Sequence, residues 1–347
     1  MLLFSPSALE YPIPATDFEK QVFDFCQKWI KGQAHFHFMT SGSTGSPKPI
    51  QISREAMIAS AKVTGEWLQL KPNDVALVCL PIHYIAGSMV LVRALELNLQ
   101  LLLIEPCINP LKDLPPISIQ LASFVPNQWY AILNDGIDLL SYFSKSKAVL
   151  LGGAALNPTI ISQTNFQFPI FATYGMTETV SHVAYQMLSP TPATCYKILP
   201  SIEFEVGINK CARFKGDVTG QQWVQTNDIV EQIDSCHFKV LGRADRVINS
   251  AGRKIQAEKV EQEIASLFSE RSFFVSGVPN EVVGQKAVLF IEGLGLVDES
   301  LVNQKSLPAL QSWEIPKQVV YLPKFETTES GKIDRLKSVA LYLNPQK

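Results

Sequence analysis

The chain lacks an excess of charge of either sign. Thirty Lys and Arg stand against 32 Asp and Glu, a formal net charge of −2. A nucleic acid or an anionic membrane surface calls for a basic patch, so neither is expected, and small ligands held in a shaped cleft are. Long hydrophobic runs are also missing. The most apolar segment, Ala76–Val92, is broken by Pro81, His83, Gly87 and Ser88, and it falls short of the roughly 20 residues a bilayer needs, so no membrane insertion is expected. The start, Met1-Leu2-Leu3-Phe4-Ser5-Pro6, has no basic leader and no apolar stretch of signal-peptide length, which points to a cytoplasmic protein. No Cys-x-x-Cys pair occurs among the six cysteines at 26, 79, 107, 195, 211 and 236. They read as reduced core residues rather than a disulfide frame or metal site. His35 and His37 share one side of a predicted strand, but no further His or Cys lies near enough in sequence to complete a zinc site. There is no internal repeat and no low-complexity tract.

What is present is an ordinary globular composition, 46% apolar and 18% charged, over 347 residues. That length exceeds what one core usually supports and predicts two domains. Phe18, Val22, Phe25 and Trp29 recur at helical spacing over 17–31 behind the capping residue Thr16, and Met57, Ala61, Thr64 and Leu68 do so behind Ser53. Runs such as Val75–Leu80, Leu99–Ile104, Ile119–Phe124, Ala148–Leu151 and Ile170–Thr173 look like strands buried on both faces, alternating with helices. The pattern predicts an α/β layered domain with a largely parallel sheet. From about residue 180 shorter strands with turn signals take over, among them Trp223–Gln225 and Ile229–Ile233 as separate strands. A smaller α+β domain is expected from 244 to 347, with 1–243 as the larger one.

Four segments carry chemistry. Thr40-Ser41-Gly42-Ser43-Thr44-Gly45-Ser46-Pro47-Lys48 packs hydroxyls and glycines between two strands. It offers N–H and O–H donors to a phosphate chain that only glycine lets the backbone approach. A flexible Ser/Gly loop is the bland alternative, and the spacing is not that of a Walker loop. Tyr174-Gly175-Met176-Thr177-Glu178-Thr179 follows a strand, where an open α/β sheet binds ligands, and its acid can take Mg²⁺ bridged to phosphates; a polar turn explains it as well. Thr226-Asn227-Asp228 precedes Gly242-Arg243-Ala244-Asp245 by fifteen residues. Asp228 could accept ribose hydroxyls and Arg243 could hold ribose or phosphate, or the two are a surface turn and a solvated charge. Thr327-Thr328-Glu329-Ser330-Gly331-Lys332-Ile333-Asp334-Arg335 puts a lysine on a small polar loop, which by itself is usually only solvated.

Together and in this order, with Gly152-Gly153-Ala154 between the first two, these segments resemble the adenylate-forming superfamily of acyl-CoA synthetases, peptide-synthetase adenylation domains and luciferases, from about residue 38 to 341. The resemblance implies a trimmed adenylate-forming fold, with ATP, Mg²⁺ and CoA as cofactor and substrates. By position it implies that Thr40, Ser41, Gly42, Ser43, Thr44, Gly45 and Lys48 grip the β- and γ-phosphates, and that Gly153 and Ala154 line the adenine and acyl pocket. Tyr174 would stack on adenine beside Gly175, Thr177 contact the α-phosphate, Glu178 bind the metal, and Asp228 and Arg243 hold the ribose. Asp245 would be the hinge of a mobile C-terminal domain, Lys332 the catalytic cation of adenylation, and Gly252 a flank of the pantetheine tunnel.

The chain departs from the pattern in places. Pro49 follows Lys48 where glycine is usual, Asn227 replaces glycine before Asp228, and Tyr84 stands where the family often has His, with His83 beside it, before Gly87. Only about 39 residues precede the first loop, leaving a side that a homodimer could cover. Among short members the resemblance is nearest to o-succinylbenzoate–CoA ligases of menaquinone biosynthesis, on Tyr84–Gly87 and Gly152-Gly153-Ala154-Ala155-Leu156. A dicarboxylate substrate with an aromatic ring would need a cation or several N–H donors at the far end of its pocket. Arg93 and His182 are the candidates, each open to a purely structural role. Besides another aryl- or acyl-CoA ligase, two rivals stand beside this expectation: an enzyme that stops at the adenylate or loads a carrier-protein thiol, and a non-catalytic binding protein on the same scaffold.

Overall fold

The structure is a computed structural model and describes residues 1–8, 11–39, 49–154, 166–268, 271–293, 302–303, 305–328 and 333–344. The phosphate-loop residues Thr40, Ser41, Gly42, Ser43, Thr44, Gly45 and Lys48, together with Ala155, Leu156 and Lys332, lie outside the described residues.

The first part of the chain contributes β1 (Leu2–Phe4), β2 (His35–Met39), β3 (Pro49–Ser53), β4 (Val75–Val78), β5 (Gln100–Leu103), β6 (Leu121–Phe124) and β7 (Ala148–Leu151). Next come β8 (Ile170–Gly175), β9 (His182–Ser189), β10 (Tyr196–Ile198), β11 (Glu203–Val206), β12 (Cys211–Lys215), β13 (Val224–Gln232) and β14 (His237–Arg243). Apart from the β2–β3 hairpin, these strands form one twelve-stranded sheet among the described residues, in the order β1-β5-β4-β6-β7-β8-β9-β10-β14-β13-β12-β11. Only β5, β4, β6, β7 and β8 run parallel. From β9 onward every pairing is antiparallel, so the expectation of a largely parallel sheet is corrected to a mixed one. Helical crossovers build the first half, whereas short turns build the second, and a short turn can only join antiparallel neighbours.

Helices α1 (Asp17–Ile30), α2 (Arg54–Leu68) and α3 (Ile85–Leu97) cover one face of the parallel strands, and α4 (Pro126–Asn134) and α5 (Leu140–Phe143) the other. Side chains alternate between the two cores: Ala76 and Val78 join the first, Leu77 between them the second. That is why these strands read as unbroken apolar runs. Thr16 accepts from the Glu19 N–H and Ser53 from the Ala56 N–H, the expected N-caps, and Met57, Ala61, Thr64 and Leu68 are all buried. The short N-terminal region covers the edge of the sheet: β1 pairs antiparallel with β5, and Trp29 on α1 donates to Glu96 on α3 at 2.8 Å.

The rest of the chain forms β15 (Val247–Ser250), β16 (Arg253–Gln256), β17 (Phe273–Asn280), β18 (Gly284–Glu292) and β19 (Gln318–Leu322), a second sheet in the order β16-β15-β18-β17 with β19 beside β18. Helix α6 (Ala257–Ile264) packs into one core on this sheet and α7 (Arg335–Leu343) into another. Of the six cysteines, Cys26, Cys79 and Cys211 are buried, but Cys107 and Cys236 are exposed, which corrects the reading of all six as core residues. Among the described residues no helix is long and apolar enough to cross a membrane.

Candidate active site

Asp228 and Arg243 are brought together by register. The expected break between two strands at 226–228 is absent: β13 runs through it, with a bulge against β12 between Gln225 and Ile229 and another against β14 at Ile229–Val230, and Asp228 pairs directly with Arg243 on β14. Three side chains share the Asp228 carboxylate and its partner cation. The Tyr174 hydroxyl, from the end of β8, donates to Asp228 Oδ2 at 2.6 Å, and Arg243 Nη1 lies 3.4 Å from Oδ1. Arg243 also donates through Nε and Nη2 to both oxygens of Asp245, at 2.9 and 2.7 Å. This two-point geometry is the strong form of an Arg–carboxylate contact. It raises the Arg243 pKa despite partial burial. Burial, reinforced by the Asp228 carboxylate, pushes the Tyr174 hydroxyl well above its ordinary value, so it stays a donor. The Tyr174 ring is seated against Tyr196, Phe214 and Phe238 at centroid distances of 5.7, 5.6 and 5.3 Å.

The turn after β8 is shaped by close backbone approach. A Cβ on Gly175 would lie 2.1 Å from the Ser181 carbonyl oxygen, so only glycine fits. Thr177 and Glu178 sit on the one-turn 3₁₀ helix Thr177–Thr179, with Glu178 exposed at the C-terminal end of the parallel half of the sheet. Gly153, at φ +86°, and Ala154 follow the neighbouring strand β7. Tyr84 precedes α3, its ring 4.2 Å from that of His83. Gly87 in the first turn of α3 rests on the Pro81 carbonyl, where a Cβ would approach to 2.4 Å. Gly252, at φ +77°, closes the β15–β16 hairpin. Asp245 lies in the short turn Ala244–Arg246 between the two sheets, where Gln256 Nε2 donates to the Arg243 carbonyl oxygen at 3.3 Å.

The two candidates for the far end of an acid pocket prove to be neighbours. Arg93 on α3 is 2% exposed, and its Nη2 donates to Ser181 Oγ at 2.6 Å. Ser181 Oγ lies 3.3 Å from His182 Nδ1, and His182 Nε2 lies 3.2 Å from Thr64 Oγ1 on α2. Among the described residues Arg93 meets no carboxylate within ion-pair distance, and its Nε has no partner. Burial brings Arg93 down to about 10, leaving it a cation at neutral pH. Burial and then the Arg93 charge hold His182 well below the ordinary histidine value, so it is neutral. Of the two candidates for a cation or N–H donor at the far end of the pocket, Arg93 is thus the charged one and His182 a neutral one. Ser181 escaped sequence reasoning: its partner Arg93 is 88 positions away, and nothing local distinguishes it from any turn serine.

Comparison with known proteins bears on the whole arrangement. The AMP-binding enzyme family matches residues 26–231, more than half of the chain. The chain belongs to this family. As a member it is an adenylate-forming enzyme of the acyl-CoA ligase type. Its relatives include the 2-succinylbenzoate–CoA ligase of Staphylococcus epidermidis, 27% identical over 339 residues, covering 89% of this chain and 70% of that one. The same-named ligase of Listeria monocytogenes is 26% identical, covering 93% and 73%. Among solved structures, an acyl-CoA synthetase (AMP-forming)/AMP-acid ligase II-like protein from Dyadobacter fermentans is 38% identical with a TM-score of 0.64. The match covers 95% of this chain and 96% of that one. The o-succinylbenzoate coenzyme A synthetase of Bacillus subtilis, solved with ATP and magnesium, has a TM-score of 0.76 at 21% identity, covering 87% and 69%, and shares the fold.

Proposed function

We propose that this AMP-binding family enzyme activates a dicarboxylic acid of the 2-succinylbenzoate class as its acyl-adenylate and transfers the acyl group to CoA. The observation that carries the substrate class is Arg93. A buried guanidinium with only a neutral hydroxyl as partner among the described residues is costly unless an anion joins it. A second carboxylate on the substrate supplies that anion. The names of the curated relatives point to the same acid.

In the first step a carboxylate oxygen attacks the α-phosphorus of ATP and pyrophosphate leaves. Asp228 and Arg243 hold the ribose, Tyr174 lies along the adenine, Gly153 and Ala154 line the pocket, and Thr177 donates to the α-phosphate. The loop 40–48 grips the outer phosphates. Lys332 meets the negative charge that grows between carboxylate and phosphate. Glu178 offers an exposed carboxylate. That fits Mg²⁺, which binds through one or two carboxylates plus substrate phosphates and would neutralise phosphate charge there. In the second step the CoA thiolate attacks the acyl carbon and AMP leaves. The unit 244–347 turns about Asp245 between the steps, exchanging Lys332 for a thiol channel flanked by Gly252.

Pyrophosphate exchange across a panel of mono- and dicarboxylic acids tests the first step, and CoA-dependent AMP release the second. Exchange should be fastest with 2-succinylbenzoate. Exchange with no acid would remove the catalytic reading, and AMP release only with a carrier-protein phosphopantetheine would replace CoA.

A further inference from the structure

The protons of the Arg93 cluster can be assigned one by one. Thr64 has a single hydroxyl proton, and it goes to the Ser60 carbonyl oxygen one turn back, at 2.9 Å. Toward His182 Nε2 the Thr64 oxygen is therefore an acceptor, which places the imidazole proton on Nε2. The ring is buried beside a cation and carries no second proton, so Nδ1 accepts. The Ser181 hydroxyl must then donate to Nδ1, and its lone pair is left for Arg93 Nη2. Thr64, Arg93 and His182 are on three different elements, with Ser181 in the bend before β9, and Thr64, His182 and Arg93 are all buried.

We propose that Thr64, His182 and Ser181 are positioning residues: a one-way hydrogen-bond chain that fixes the Arg93 guanidinium through Nη2 and keeps Nε free for the anionic end of the acid. This rests on the dicarboxylate reading above. The chain itself never touches substrate. A hydroxyl free to rotate could turn its proton toward Arg93 and repel it; locked by His182, it cannot. The backbone carbonyl at the far end makes the direction permanent, because a carbonyl only accepts.

Thr64→Val removes the hydroxyl while keeping the branched shape. With 2-succinylbenzoate its KM should rise about tenfold, the scale of one hydrogen bond to a charged group, with kcat nearly unchanged. With 4-oxo-4-phenylbutanoate, which lacks the ring carboxylate, KM should not move, and Thr64→Ser should restore the wild-type value. Equal changes for both acids, or none, overturn the proposal. Nitrogen NMR of His182 at neutral pH gives a readout independent of substrate: the Nε2–H tautomer in wild type, with the preference lost in Thr64→Val. An Nδ1–H tautomer or an imidazolium overturns the chain. A wild-type enzyme that does not distinguish the two acids instead removes the dicarboxylate reading, while the NMR result still decides the chain.

Discussion

A carboxylate attacking a polyphosphate brings two anions together, so the side chain that meets the developing charge dominates the rate. Lys332→Ala should therefore lower pyrophosphate exchange roughly 10²–10³-fold, the range for one preorganised donor, and leave thioester formation from synthetic acyl-adenylate intact. Equal loss in both assays would assign the lysine elsewhere. His182 carries a second expectation. Its folded pKa is depressed by burial, so below the ordinary value the unfolded chain binds a proton that the folded chain refuses. Stability then falls as pH drops through about 6.5, by up to about 1.4 kcal/mol per pH unit from this group. Denaturant titrations at pH 7 and 5 should show a smaller loss in His182→Gln than in wild type. Sequence reasoning reached both Arg93 and His182 because a dicarboxylate needs a cation or several N–H donors. It could not sort them, because burial, which keeps one charged and the other neutral, is a property of the packed core.

At the scale of single elements, glycines set the path of the chain around the site. Gly87→Ala would press a methyl group into the Pro81 carbonyl at the start of the helix that bears Arg93. A loss of about 1–3 kcal/mol in unfolding free energy is expected, together with a raised KM for the acid; an unchanged midpoint in urea would show that α3 shifts without strain. Helix starts were legible because capping is local: Thr16 and Ser53 act on N–H groups three residues away. β13 was not. Thr226-Asn227-Asp228 has the composition of a turn, and the strand is carried through it by flanking pairs: Val224, Gln225 and Ile229 pair with β12, and Asp228 onward with β14. The spacing from Asp228 to Arg243, visible in the sequence, became a cross-strand contact only through that register.

For the molecule as a whole, the composition change near residue 180 marks a change of connection within one sheet, not its end, since β8 and β9 pair along their length. Hydrophobic patterning reports burial, and burial does not reveal which neighbour a strand takes. Gly242, at φ +146°, lies against side chains of the second unit: a Cβ there would sit 2.1 Å from Gln256 Nε2 and 2.5 Å from Glu258 Oε2. Gly242→Ala should disfavour the arrangement seen here and so change the ratio of pyrophosphate exchange to CoA-dependent AMP release. A constant ratio would argue against a turn near residues 243–246. The Tyr174–Asp228 bond has a consequence of a different kind. A ribose entering the proposed seat must evict a phenol already bound to the carboxylate, and that eviction weighs equally on ATP, the mixed anhydride and AMP. It cancels from the balance among bound species and survives only in how tightly any adenosine compound is retained. Tyr174→Phe would then tighten all three nucleotides in parallel and leave the bound-state equilibrium where it was.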